Sequence, residues 1–186
     1  MVTMVRTKQK LSVGKQALAA VTATVAAVVL PQIFHLLGMM SGLGSALGET
    51  FLPMHLPILF VGLLAGPYAG AVAGLLSPLA SFALTGMPAS AMLPFMMIEL
   101  CVYGLTSGLL RDAKFPTIGK VLGAQVAGRA VRAVAILLAF YAFGSHAVPV
   151  AVIWKSISAG IFGLVLQWVL LPLLMYRIER PASHEE

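Results

Sequence analysis

Long apolar stretches, separated by short segments that hold most of the charges, constrain this chain more than any other feature. Several stretches reach or exceed the roughly 20 residues that an α-helix needs to cross a hydrocarbon core of about 30 Å. Only 10% of the residues are charged, whereas a soluble domain has about 25%. A barrel strand would alternate apolar and polar residues, and residues 17–30 are apolar on every face. The sequence therefore predicts an all-α, polytopic membrane protein.

We predict one transmembrane domain over residues 1–186, with six membrane-spanning helices. The predicted spans cover residues 15–37, 51–65, 67–85, 91–110, 118–143 and 148–176.

The first three spans have unusual borders. Gly66-Pro67 is the only break between the second and third spans, so the turn must be tight or one of the two helices must be broken or tilted. The first span follows a basic leader at residues 1–14, as the core of a signal peptide would. It is longer than the about 7–15 residues of such a core, so we interpret it as a membrane span.

The Lys and Arg residues between the spans predict the orientation, because cytoplasmic loops are enriched in them. If the amino terminus is inside, the three outer segments at residues 38–50, 86–90 and 144–147 contain no Lys or Arg. We expect a plasma-membrane protein with both termini in the cytoplasm and a tail at residues 177–186. This bias explains the net charge of +6 without a nucleic-acid partner. The flanking basic residues are Arg6, Lys8, Lys10, Lys15, Arg111, Lys114, Lys120, Arg177 and Arg180.

Four ionisable residues fall within the predicted spans: Glu99, Arg129, Arg132 and Lys155. Each would cost about 2.5–3.5 kcal/mol at the bilayer centre if it faced lipid, so each should face protein or a watery cavity. At about 1.5 Å per residue, Glu99 and Lys155 lie at similar depths and Arg132 somewhat deeper. We predict that Glu99 pairs with Lys155 or Arg132, as a structural ion pair or to hold a polar ligand. Arg129 is predicted nearer the cytoplasmic half, where it reaches the interface or contacts a partner subunit.

The segments on the predicted outer side are rich in glycine, proline and methionine. Residues 38–51 form either a flexible ligand-binding loop or a plain connector. Two prolines flank Met54 and His55, so this helix start cannot complete its backbone hydrogen bonds. His35 and His55 either contact a ligand or make structural hydrogen bonds, and without a third ligand they do not predict a metal site.

Small residues recur every four positions on several spans, which allows helix backbones to approach closely in lipid. Internal packing explains the glycine stripes. The alanine stripe on the first span could equally meet a second subunit. The stripes comprise Ala19, Ala23 and Ala27; Gly62, Gly66, Gly70 and Gly74; and Gly104 and Gly108.

Motifs for catalysis or ATP hydrolysis are absent from the sequence. There is no GxxxxGK[ST] phosphate-binding loop, no HExxH and no GxSxG. We therefore expect that the chain is not an enzyme, and that active transport would require separate ATPases.

The run FLPMHLPILFVGLLAGPYAGAVAGLLSPLASFALTGMP, followed by MLPFMMIELCVYGLTSGLL, resembles the S components of energy-coupling factor (ECF) transporters. The likeness covers roughly residues 15–176, and FLPMHLP, LTGMP and IELxxYGLxSGLL are its most specific parts. It implies a six-helix subunit that binds a vitamin from outside, has no cofactor, and docks onto a membrane coupling protein with two ATPases. In this family small residues on the first helix contact the coupling protein, which implies docking through Ala19, Ala23 and Ala27.

The resemblance also implies a ligand site near the outer face. Carried onto this sequence, it selects ligand-contacting residues from the outer loops and the outer halves of the later helices, together with apolar walls. The contacting residues are His35, Glu49, His55, Glu99 and Lys155, and the walls are Met54, Met87 and Trp154.

The FLPMH-type pattern is associated with cobalamin or pantothenate. A corrinoid would need an open bowl rimmed by the glycine-rich loop, and pantothenate would need a cation such as Lys155 for its carboxylate. The sequence is compatible with either ligand. The alternative function is a self-sufficient channel or facilitator for small solutes, whose intramembrane charges would line a continuous pore.

Overall fold

The computed structural model describes residues 11–44 and 46–179. Most of the predicted basic leader and the end of the predicted tail lie outside the described residues. Within them the chain forms helices and loops but no strand, so the prediction of an all-α protein is confirmed. The helices are α1 Val13–Met40, α2 Ala46–Phe51, α3 His55–Ala65, α4 Pro67–Thr85, α5 Leu93–Leu109, α6 Thr117–Leu137, α7 Val152–Ala159 and α8 Ile161–Glu179.

Five helical stretches in the described part of the chain are long and apolar enough to cross a membrane, and α5 is a sixth, shorter apolar helix. The stretch Ala46–Ala65 comprises both α2 and α3. These six stretches correspond in order to the six predicted spans, which confirms the polytopic architecture. The five longer stretches are Val13–Met40, Ala46–Ala65, Pro67–Thr85, Thr117–Ala142 and Ile161–Ile178.

Two segments differ from the sequence prediction. The outer segment at residues 38–51 is largely helical, because α1 continues to Met40 and α2 follows almost at once. The predicted sixth span is divided at Gly160 into α7 and α8. A Cβ atom on Gly160 would lie 2.7 Å from Cδ1 of Leu52. Leu52 lies in the break between α2 and α3. The break at Gly160 therefore makes room for the side chain of Leu52.

Helices α4 and α5 touch backbone to backbone at a pair of glycines. A Cβ atom on Gly70 would collide with the main chain of Gly104, and a Cβ atom on Gly104 would collide with the main chain of Gly70. Gly74 makes the same kind of approach to Leu100, and Gly108 to Pro67. Close contact of this kind supplies the packing energy that lipid-facing apolar side chains cannot. The glycine stripes are internal packing faces, as predicted.

The alanine stripe on α1 is also an internal packing face. Ala23 is 7% exposed and Ala27 is 0% exposed, and both belong to the core formed with α3 and α4. Ala19 is half-buried at the edge of that core. The outward face of α1 instead carries larger apolar side chains such as Val21 and Val25. The structure therefore contradicts docking through Ala23 and Ala27, because the chain's own helices already cover them.

Candidate ligand-binding site

A cavity of about 460 Å³ opens at one end of the helix bundle. It lies where α1, α4 and α6 end and where α3 and α5 begin, with α2 and α7 beside it. This is the end that the distribution of basic residues predicts to face outside. The volume falls within the range of about 300–1,000 Å³ that is typical of small-molecule sites.

Seven of the eight predicted site residues line this cavity. Trp154 does not: it is 74% exposed and lies outside the lining. Successive helical residues point about 100° apart, so Lys155 reaches the cavity while its neighbour faces away. The structure therefore contradicts the assignment of Trp154 to the apolar wall. The seven lining residues are His35, Glu49, Met54, His55, Met87, Glu99 and Lys155.

A buried ion pair forms part of the cavity wall. Arg132 Nη1 donates to Glu99 Oε2 at 2.8 Å, and the hydroxyl of Tyr103 donates to Glu99 Oε1 at 2.9 Å. Glu99 is 1% exposed and Arg132 is 8% exposed. Of the two partners predicted for Glu99, Arg132 is confirmed, and Lys155 lies elsewhere in the lining.

Gly128 allows α6 to bring Arg132 up to α5. A Cβ atom on Gly128 would collide with the ring of Tyr103 and would lie 2.9 Å from the carbonyl oxygen of Glu99. Gly128 precedes Arg132 by four residues, so the two share a helix face. Sequence reasoning missed this glycine, although a glycine one turn from an intramembrane arginine is a usable signal.

Arg129 also lines the cavity, which corrects its predicted contact with the membrane interface or a partner subunit. A turn of π-helix continues α6 to Ala142, close to the predicted end of this span at residue 143. Arg129 precedes Arg132 by three residues, so the two share a face of α6 and Arg129 lies about one turn deeper. The cavity therefore reaches further into the bundle than predicted. Its side chain is half-buried, and its Nε atom is buried without a hydrogen-bond partner.

The two histidines occupy different environments. His55 is 5% exposed, with Nδ1 unpartnered and its ring centre 5.4 Å from that of Tyr103. His35 packs its imidazole against Gly48 on α2, where a Cβ atom would lie 3.0 Å from Cε1. The residues that the structure describes contain no group of three or more side chains suited to a metal ion.

A chain of buried and partly buried hydrogen bonds holds the break between α2 and α3. Trp168 Nε1 donates to Gln125 Oε1 at 2.6 Å, and Gln125 Nε2 donates to Gln167 Oε1 at 2.9 Å. Gln167 Nε2 then donates to the carbonyl oxygen of Leu52 at 3.4 Å. Leu52 lines the cavity and has a φ of 48°. The network therefore fixes a strained cavity residue to α6 and α8, a role that the sequence analysis did not find.

The fold and the cavity define a class: a helical membrane protein with a small-molecule site at one end of its bundle. The family model for the substrate-specific component of ECF transporters matches residues 15–175. Because this match covers most of the chain, the chain belongs to that family, and the resemblance seen in the sequence is confirmed. No curated protein and no solved structure is significantly similar to it.

Proposed function

We propose that this chain captures a water-soluble vitamin in the cavity at the outer face of the membrane. It then docks with a membrane coupling protein and two ATPases, which drive uptake. One observation carries the proposal: a single cavity gathers seven of the eight residues selected for ligand binding. Membership of the ECF substrate-specific family supports the same role.

The size of the cavity favours pantothenate over cobalamin. A corrin macrocycle with its nucleotide arm is larger than about 460 Å³ and would project beyond the rim, whereas pantothenate fits inside. The methionines in the lining provide adaptable apolar contacts for its carbon skeleton.

A self-sufficient channel is less well supported by the geometry. The Glu99–Arg132 pair is buried, and below it Leu100 and Tyr103 are both 0% exposed. A continuous pore would keep such side chains in contact with water.

The direct test is calorimetric titration of the purified chain in lipid nanodiscs with pantothenate, cobalamin, riboflavin, biotin and thiamine. We expect saturable binding of one vitamin from the panel, with pantothenate favoured. Folded protein that binds no member of the panel would contradict the proposed function.

Ala89→Trp is expected to weaken vitamin binding at least tenfold, a loss of about 1.4 kcal/mol or more. Ala89 is an exposed residue that lines the cavity, so an indole there fills ligand space without disturbing the core. Ala83→Trp is the matched control, because Ala83 is exposed on α4 and lies outside the lining. Equal affinity in the two variants would show that the ligand binds elsewhere.

A further inference from the structure

The charges that line the cavity do not balance. Three cationic side chains, Arg129, Arg132 and Lys155, face two carboxylates, Glu49 and Glu99. Among the described residues of the lining, one positive charge is therefore in excess. A ligand with one negative charge would neutralise the site.

Arg129 is better placed than Lys155 to meet that negative charge. Arg132 already pairs with Glu99, whereas Arg129 forms no ion pair with any residue in the described part of the chain. Arg129 is half-buried and has a buried, unpartnered Nε atom. Lys155 is exposed on α7, a helix with no buried residue. Water solvates an exposed ammonium well, but a half-buried guanidinium has lost part of its hydration and gains more from an anion.

We propose that Arg129 binds a carboxylate of the ligand, and that the site selects small monocarboxylates with a neutral body. This inference rests on the proposed function, because it takes the cavity as the vitamin site. A guanidinium can donate two parallel N–H bonds to one carboxylate, which fixes orientation as well as charge. Met54, Met87 and Met92 line the same cavity and contact the neutral body. A bare anion such as phosphate would leave these apolar walls unfilled.

The test compares pantothenate with panthenol, the neutral analogue in which a hydroxymethyl group replaces the carboxylate. Both are titrated into the chain in nanodiscs of phosphatidylcholine, so that no anionic lipid competes for Arg129. We expect wild type to bind panthenol at least about tenfold more weakly than pantothenate, because the alcohol cannot form an ion pair with Arg129.

Arg129→Gln is expected to weaken pantothenate binding at least tenfold and to leave panthenol binding within about twofold. Lys155→Gln is the matched control and is expected to weaken pantothenate binding by about fivefold or less, because exposed ion pairs contribute about 0–1 kcal/mol. An equal loss of affinity for both ligands in Arg129→Gln would indicate a structural role and would overturn the proposal.

Different binding results would refute the role of Arg129 and the proposed function. If wild type binds cobalamin, riboflavin or thiamine but neither of the two monocarboxylates in the panel, pantothenate and biotin, the role of Arg129 is refuted and the proposed function stands. The same conclusion follows if wild type binds panthenol as tightly as pantothenate. If no vitamin binds at all, the proposed function itself fails.

Discussion

Glu99→Ala is expected to destabilise the folded chain by about 3–5 kcal/mol, the usual cost of removing one partner from a buried ion pair. Arg132 would be left with an unpaired positive charge at 8% exposure, and the hydroxyl of Tyr103 would lose its acceptor. Thermal unfolding in detergent, followed by tryptophan fluorescence, measures the effect.

The double variant Glu99→Ala/Arg132→Met is the control for this result. Replacing both charges leaves no buried ion, and methionine keeps the volume of the arginine stem, so we expect the double variant to be more stable than Glu99→Ala. A double variant that is less stable than Glu99→Ala would mean that the unpaired charge of Arg132 is not what destabilises the single variant. Wild-type stability in the single variant would mean that the pair is not buried.

Gly104→Ala is expected to destabilise the chain by about 3 kcal/mol, at the upper end of the range for overpacking. The new methyl group would collide with the main chain of Gly70, and a backbone cannot move aside as a flexible side chain can. This change in stability is opposite to the usual one, because replacing glycine with alanine within a helix ordinarily stabilises a protein by about 0.5–1 kcal/mol.

Gly14→Ala provides the comparison, since a Cβ atom on Gly14 would meet nothing within 4 Å. We expect its unfolding temperature to match or slightly exceed that of wild type. If Gly104→Ala behaved in the same way, α4 and α5 would not be in backbone contact.

The membrane fold could be predicted because it follows from the length of apolar segments, which is a local property. The break at Gly160 could not, because it leaves room for the side chain of Leu52, which is far away in the sequence. The alanine stripe on α1 was misassigned for a related reason. A stripe of small residues predicts close helix packing but does not identify which helix is the partner.

The site was predicted in outline from the family resemblance, which implies a ligand near the outer ends of the helices. Arg129 was not assigned to the site, because the sequence does not show how deep into the bundle the cavity reaches. Trp154 was misplaced because the rotation of the short helix α7 about its axis is set by its neighbours. The buried glutamines Gln125 and Gln167 were missed because their role depends on hydrogen bonds to residues far away in the sequence.

Uptake of radiolabelled pantothenate into liposomes tests most directly the claim that this chain captures a solute and relies on other subunits for energy. We predict no accumulation with the chain alone, and accumulation when the coupling protein, two ATPases and ATP are also present. Uptake by the chain alone at an undiminished rate would contradict the account and would identify a self-sufficient facilitator.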